Sequence, residues 1–207
     1  MRPLPRLFAV TTDALCRAAD FGVRAAAIAS AGPAAAILVR AVESTAAQQA
    51  AFAERVTALA APPEAAVFVH ARPDLAAAIG ADGVQLRRED LAPADARLAY
   101  PRGWIGRSVH SLEEAREAIA EGARYLVAGN VYATTSHPDR PARGMAWLSA
   151  LCALGTPVVA IGGITPARVP EVRAAGAWGV AVISALWNAA DPGVVALALL
   201  SPWSAAA

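Results

Sequence analysis

Eight short runs of Val, Ile, Leu and aromatic residues recur along the 207-residue chain, most of them followed by an Ala-rich stretch with helical spacing. They are Leu7 to Thr11, Ala36 to Arg40, Val67 to His70, Gly83 to Leu86, Ile105 to Val109, Tyr125 to Val131, Val158 to Ile161 and Val180 to Ser184. Nearly every position in these runs is apolar, which marks strands buried on both faces, as in a parallel sheet covered by helices. After the fifth run, Ser111 and Glu114 form an S-x-x-E pair that predicts a capping box, and Leu112, Ala115, Ala118 and Ile119 share one helical face. Eight strand-helix repeats predict an α/β chain closed into a single (β/α)8 (TIM) barrel, one domain over residues 1–207. An open doubly wound sheet has the same periodicity and is the competing architecture. Trp104, Trp147, Trp178, Trp187 and Trp203 have no repeated spacing and read as packing between helices and barrel, and Ser201 to Ala207 as a frayed tail.

Composition removes several classes of function. The 18 basic and 17 acidic residues leave a net charge of +1, which gives no field to hold nucleic acid or an anionic membrane. All 18 basic residues are Arg, so Schiff-base chemistry and a Lys phosphate clamp are excluded. Cys16 and Cys152 match no zinc spacing and read as isolated buried thiols. The first apolar run is too short for a signal peptide, and the uncharged stretch from Ala25 to Val39 falls short of the ~20 residues that span a bilayer. A cytoplasmic protein is the expectation, and apolar outer faces would allow a homodimer.

In a barrel the chemistry sits where the strands end. The seventh run ends in Gly162-Gly163 and the eighth in Ser184-Ala185, each ahead of a predicted helix. Glycines let backbone approach a ligand, and helix-start N–H groups attract anions, so these loops predict a phosphate site on Gly162, Gly163, Ser184 and Ala185.

Four segments, Ala78 to Leu91 (AIGADGVQLRREDL), Ile105 to Ala115 (IGRSVHSLEEA), Pro157 to Pro166 (PVVAIGGITP) and Gly179 to Leu186 (GVAVISAL), resemble the thiamine phosphate synthase and TenI-like (thiazole tautomerase) superfamily in order and spacing. The resemblance runs from about Leu7 to Ala198. It implies a small phosphorylated thiazole as ligand, and either proton transfer on that thiazole or its joining to a hydroxymethylpyrimidine pyrophosphate. The synthase pattern transfers incompletely. Of its Gln-x-Arg-x-Lys stretch only Arg40 remains, beside Leu38 and Val42. Its Asn-Asp pair becomes His70-Ala71, and of its two magnesium carboxylates only Asp90 has a match. Its Thr-x-Thr-Lys becomes Thr134-Thr135-Ser136-His137, while Ser108 is kept. Magnesium is therefore expected only if the synthase alternative holds, and otherwise no cofactor.

IGRSVHS and the pair Arg143-Gly144 look like the TenI-like branch, although its acid/base His is Asn130 here. Proton transfer near neutral pH calls for a His. His70 and His137 stand at positions that resemble ligand-facing ones, whereas His110 reads as a residue at a helix start. Arg40 and Arg107 are candidates to hold a carboxylate, and Ser108, Thr134, Ser136 and Gly144 to line the ligand site. The expectation is a TenI-like tautomerase acting through His70, His137 or Asn130. The alternatives are a divergent synthase and a non-catalytic carrier of a thiamine intermediate.

Overall fold

A computed structural model of the protein describes residues 2–60, 64–134 and 141–204. Eight parallel strands close into a barrel in sequence order. They are β1 (Leu7–Val10), β2 (Ala35–Val39), β3 (Ala66–His70), β4 (Gly83–Leu86), β5 (Trp104–Val109), β6 (Tyr125–Ala128), β7 (Val158–Ile161) and β8 (Gly179–Val182). Strand β8 pairs back onto β1, with Leu7 beside Val180, which excludes the open sheet. The apolar runs predicted every strand to within a few residues.

The helices lie between the strands: α1 (Asp13–Arg17), α2 (Phe21–Ala29), α3 (Ala46–Leu59), α4 (Pro73–Ala78), α5 (Pro93–Ala99), α6 (Leu112–Ala120), α7 (Gly144–Cys152), α8 (Val169–Ala174), α9 (Ser184–Trp187) and α10 (Pro192–Ser204). Alternate strand residues such as Leu7, Ile37, Val69, Val84, Ile105, Val158 and Val180 face outward and are buried under them. Small side chains on the helices, including Ala25, Ala53, Ala96, Ala115 and Ala196, let helix and sheet backbones approach closely.

The capping box of α6 forms only in half. Ser111 Oγ accepts from Glu114 N–H at 3.1 Å, but the Glu114 carboxylate accepts from His110 N–H at 2.6 Å instead of closing on Ser111. The tail expectation is corrected as well. Helix α10 runs through Pro202 to Ser204, held by Trp203 packed on the core, and residues 205–207 lie outside the described residues. Of the tryptophans, Trp147, Trp187 and Trp203 pack among the helices, as expected. Trp104 and Trp178 instead close the bottom of the barrel, donating to the carbonyls of Arg2 and of Leu4 and Pro5.

Inside the barrel the other strand parity meets. Phe8 and Phe68 pack edge to face with centroids 4.9 Å apart, and Phe8 stacks on Tyr125 at 5.6 Å. These rings need room on neighbouring strands, and Gly83 and Gly106 supply it. A Cβ at Gly83 would run into the Phe68 ring, and one at Gly106 into the Tyr125 ring. The lower barrel is thereby filled, and a cavity opens at the C-terminal ends of the strands. Overpacking of this kind costs typically 1–3 kcal/mol. Gly106→Ala is expected to lower stability by about that amount or more in urea unfolding. Gly22→Ala, with nothing within 4 Å of the added carbon, should be near neutral. Equal midpoints for the two variants would contradict the packing account.

Candidate active site

A cavity of about 550 Å³ opens at the C-terminal end of the barrel. Its floor is apolar, made by Phe8, Val10, Leu38, Val127, Ile161 and Ala181. Two polar walls face each other across that floor, one from β2 to β5 and one from the loops after β6, β7 and β8.

The first wall follows from strand parity. Residues two apart point the same way, and the register sets His70 beside Gln85 and Gln85 beside Gly106. Arg40, His70, Gln85 and Ser108 therefore reach the cavity from four successive strands. Thr11 fixes the end of β2: its hydroxyl donates to Arg40 O at 3.1 Å and accepts from Arg40 N–H at 2.8 Å. Among the described residues the Arg40 guanidinium has no hydrogen bond or ion pair. Burial, and next the positive charge of Arg40, hold the His70 imidazole down to about 4, so it is neutral at physiological pH. Ser108 Oγ accepts from Gln85 Nε2 at 3.0 Å.

Arg107, expected to share the ligand site, does not line the cavity. It is adjacent to Ser108 on the strand and so points to the opposite face. Its guanidinium donates to Leu91 O at 2.6 Å and Arg88 O at 2.8 Å, tying down the loop after β4.

The second wall is mainly backbone. Gly162 and Gly163 have φ of +100° and +65°, where L side chains are disfavoured. They are also crowded: a Cβ on Gly162 would stand 2.8 Å from Asn130 Cα, and one on Gly163 2.6 Å from Ala133 O. The pair thus serves close packing of the β6 and β7 loops as well as any ligand. Arg168 locks this loop, donating to Gly163 O at 2.6 Å while its guanidinium lies 4.3 Å from the Tyr132 ring centroid. The Gly163, Ser184 and Ala185 N–H groups make no hydrogen bond among the described residues, and all three residues line the cavity. A 3-10 turn (Pro166–Arg168) leading into the six-residue α8 follows β7, and α9 has four residues, so individual N–H groups rather than a long helix dipole make this wall suited to an anion.

Thr134 and Asn130 complete the rim. Asn130 is buried, and its Nδ2 donates to Tyr132 O at 3.1 Å. Gly144 does not reach the cavity. It starts α7 with its N–H on Val131 O. Ser136 and His137 lie outside the described residues. Sequence reasoning gave Gln85, Arg87, His110 and Arg168 no part in the site, though all four line the cavity. The signal for Gln85 was present: it is the one polar residue in the run Gly83 to Leu86, on the parity of His70 and Ser108.

Asp90 is not arranged as a cation ligand. Its Oδ2 accepts from Arg87 N–H at 2.6 Å and its Oδ1 from Arg87 Nη2 at 2.9 Å. Ala71 contributes no side-chain oxygen, and among the described residues no group of three or more His, Cys, Asp or Glu could hold a metal. Magnesium needs several oxygen ligands in tight octahedral geometry, so the residues present do not fit such a site. Among the described residues no helix is long and apolar enough to cross a membrane.

Two measurements check these electrostatics. Imidazole NMR should show His70 titrating near 4, and a midpoint near 6.5 would contradict its burial against Arg40. The unfolded chain takes up this proton near pH 6.5, while the folded state refuses it until about pH 4. Stability from this group is therefore complete above pH 6.5 and falls on acidification to pH 4, by at most about 3 kcal/mol. Magnesium titrated into the ligand-free protein should leave Tm unchanged. A rise in Tm that Asp90→Asn removes would contradict the Arg87 pairing.

Comparison with known proteins agrees with this architecture. A sequence model described as thiamine monophosphate synthase matches residues 7–186. A thiamine-phosphate synthase of Thermus thermophilus is 44% identical over 151 residues, 72% of this chain and 73% of that protein. One from Salinispora arenicola is 44% identical over 160 residues, 75% of this chain and 77% of the relative. Among solved structures, a thiamine phosphate pyrophosphorylase from Pyrococcus furiosus superposes with a TM-score of 0.83 at 35% identity, covering 96% of this chain and 95% of that one. These relatives carry the synthase name, which favours the synthase alternative over the expected TenI-like one. The chain belongs to the thiamine monophosphate synthase family.

Proposed function

We propose that the protein is a synthase-type transferase of thiamine biosynthesis that joins a thiazole phosphate to a pyrimidine carried as its diphosphate. The observation that carries this reading is the pair of opposed polar walls across one apolar floor. The N–H groups of Gly163, Ser184 and Ala185 suit a phosphate on one side. Arg40, which has no side-chain hydrogen bond or ion pair among the described residues, suits a second anion on the other, where a guanidinium binds phosphate oxygens through parallel N–H donors.

The reaction forms a bond from the thiazole nitrogen to the pyrimidine methylene carbon. The bond from that carbon to the diphosphate oxygen breaks, and the diphosphate leaves with the electron pair. No proton need be transferred, which suits a wall whose imidazole is neutral at pH 7 and a rim that carries Asn130. The chain's part is to hold both substrates over Phe8, Val10 and Ile161, to exclude water from the reacting carbon, and to meet the leaving charge with Arg40.

One observation favours a second reading, proton transfer on the thiazole alone. His110 lines the cavity with its Nδ1 3.3 Å from Glu114 Oε2, a carboxylate-oriented imidazole.

The test is mass spectrometry of thiamine phosphate formed from thiazole phosphate and hydroxymethylpyrimidine diphosphate, each omitted in turn, with and without magnesium. Product is expected only when both substrates are present. Arg40→Ala should lower kcat/KM by roughly 10–150-fold, the value of a charged hydrogen bond. Ser184→Asp, which puts a carboxylate at the phosphate wall, should raise KM for the thiazole phosphate. No product, together with protein-dependent aromatisation of the non-aromatic thiazole phosphate carboxylate, would overturn the proposal in favour of the second reading.

A further inference from the structure

The phosphate wall is built on the two residues least able to hold a backbone in place. Gly162 and Gly163 have no side chains and enter left-handed φ freely, so the direction of their peptide groups rests on what their carbonyls touch. Gly162 O accepts from Tyr132 N–H at 3.1 Å, and Gly163 O accepts from Arg168 Nη1 at 2.6 Å. In a trans peptide the C=O and the N–H of the same group point in opposite directions. The first bond therefore turns the Gly163 N–H away from the loop after β6, and the second turns the Ile164 N–H away from Arg168. Gly163 and Ile164 both line the cavity, and neither N–H makes a hydrogen bond among the described residues.

Arg168 is itself held from outside the cavity. Its guanidinium carbon lies 4.3 Å from the Tyr132 ring centroid, a cation over an aromatic face. The Tyr132 hydroxyl donates to Glu171 Oε1 on α8, which fixes the ring. Tyr132 does not line the cavity, so its side chain acts on a ligand there only through its neighbours. It holds the loop after β7 twice, by its main chain at Gly162 O and by its ring at Arg168. A substitution of the side chain leaves the first hold in place and removes the second.

We propose that Tyr132 is a positioning residue for phosphate binding that acts through Arg168: its ring holds the guanidinium that fixes the Gly163 carbonyl, and so presets the N–H groups of Gly163 and Ile164 for a phosphate. This rests on the phosphate wall of the synthase reading above, and names what keeps that wall in shape before a ligand arrives. Donors ordered in advance bind more tightly, because their freedom is not lost at the moment of binding. Removal of the ring loosens the two peptide groups. Affinity for the phosphate then falls, while affinity for the rest of the thiazole does not change.

The experiment measures dissociation constants of two probes, thiazole phosphate and the same thiazole alcohol without its phosphate, whose ratio isolates the phosphate. They are measured on the wild type, Tyr132→Leu, Tyr132→Phe, Arg168→Met and the double variant Tyr132→Leu/Arg168→Met, with Tm reporting that each is folded. Tyr132→Leu is expected to lose about tenfold in preference for the phosphate, the worth of one hydrogen bond to a charged group, with alcohol affinity unchanged. Tyr132→Phe should keep the preference, because the ring remains under the guanidinium. The double variant should lose no more than Arg168→Met alone, since both changes remove the same brace. A preference retained in Tyr132→Leu, or an equal loss of both probes, would overturn the positioning role while leaving the joining reaction standing. Additive losses in the double variant would overturn the route through Arg168. If the wild type itself binds both probes equally, the phosphate wall falls, and the role of Tyr132 with it.

Discussion

Three aromatic rings inside the barrel set the conditions for everything above them. Phe8, Phe68 and Tyr125 meet on the axis, with Phe68 edge-on to both of the others. They fit because Gly83, beside Phe68, and Gly106, beside Tyr125, give up their side chains. A barrel of small residues throughout would leave a dry void, and one of large residues throughout would not close. Here the lower half is solid and the upper half open, and Phe8 serves both, as part of the plug and part of the cavity floor.

Above the plug, chemistry is divided by strand parity. Inward positions at the ends of β2 to β5 carry side-chain donors and acceptors, while the β7 and β8 loops present backbone N–H groups. Outward positions at the same height do structural work, as Arg107 does in holding two carbonyls of the neighbouring loop. The charges divide likewise. Arg87 is drawn to Glu89 and Asp90, and Arg88 to Glu114, which leaves Arg40, among the described residues, as a cation on this wall without an ion pair. The anion-binding capacity of the wall is thus concentrated at one guanidinium.

The strands and their order were legible because a parallel barrel writes an uninterrupted apolar run for each strand, and a run of four or five such residues has few other uses. The place of Gly162-Gly163 and Ser184 at the cavity was legible from their position after β7 and β8, and the glycines are also required by the close approach of Asn130 and Ala133. Arg40, His70 and Ser108 could be read from their places at strand ends. Arg107 was misassigned by treating proximity in sequence as proximity in space, when one step along a strand reverses direction. Gln85 was overlooked inside a motif read only for its resemblance. The pairing of Arg87 with Asp90 and the partner chosen by Glu114 depend on loop backbone that no periodicity encodes.

The account stands on a division of labour: phosphate on backbone N–H groups, heterocycle toward the side-chain wall. A crystal structure with bound thiazole phosphate tests it most directly. The account predicts phosphate oxygens within hydrogen-bond distance of the Gly163, Ser184 and Ala185 N–H groups, with the thiazole nitrogen turned toward the wall of Arg40, His70, Gln85 and Ser108. A phosphate seated on Arg40, with the ring against Ser184, would contradict it.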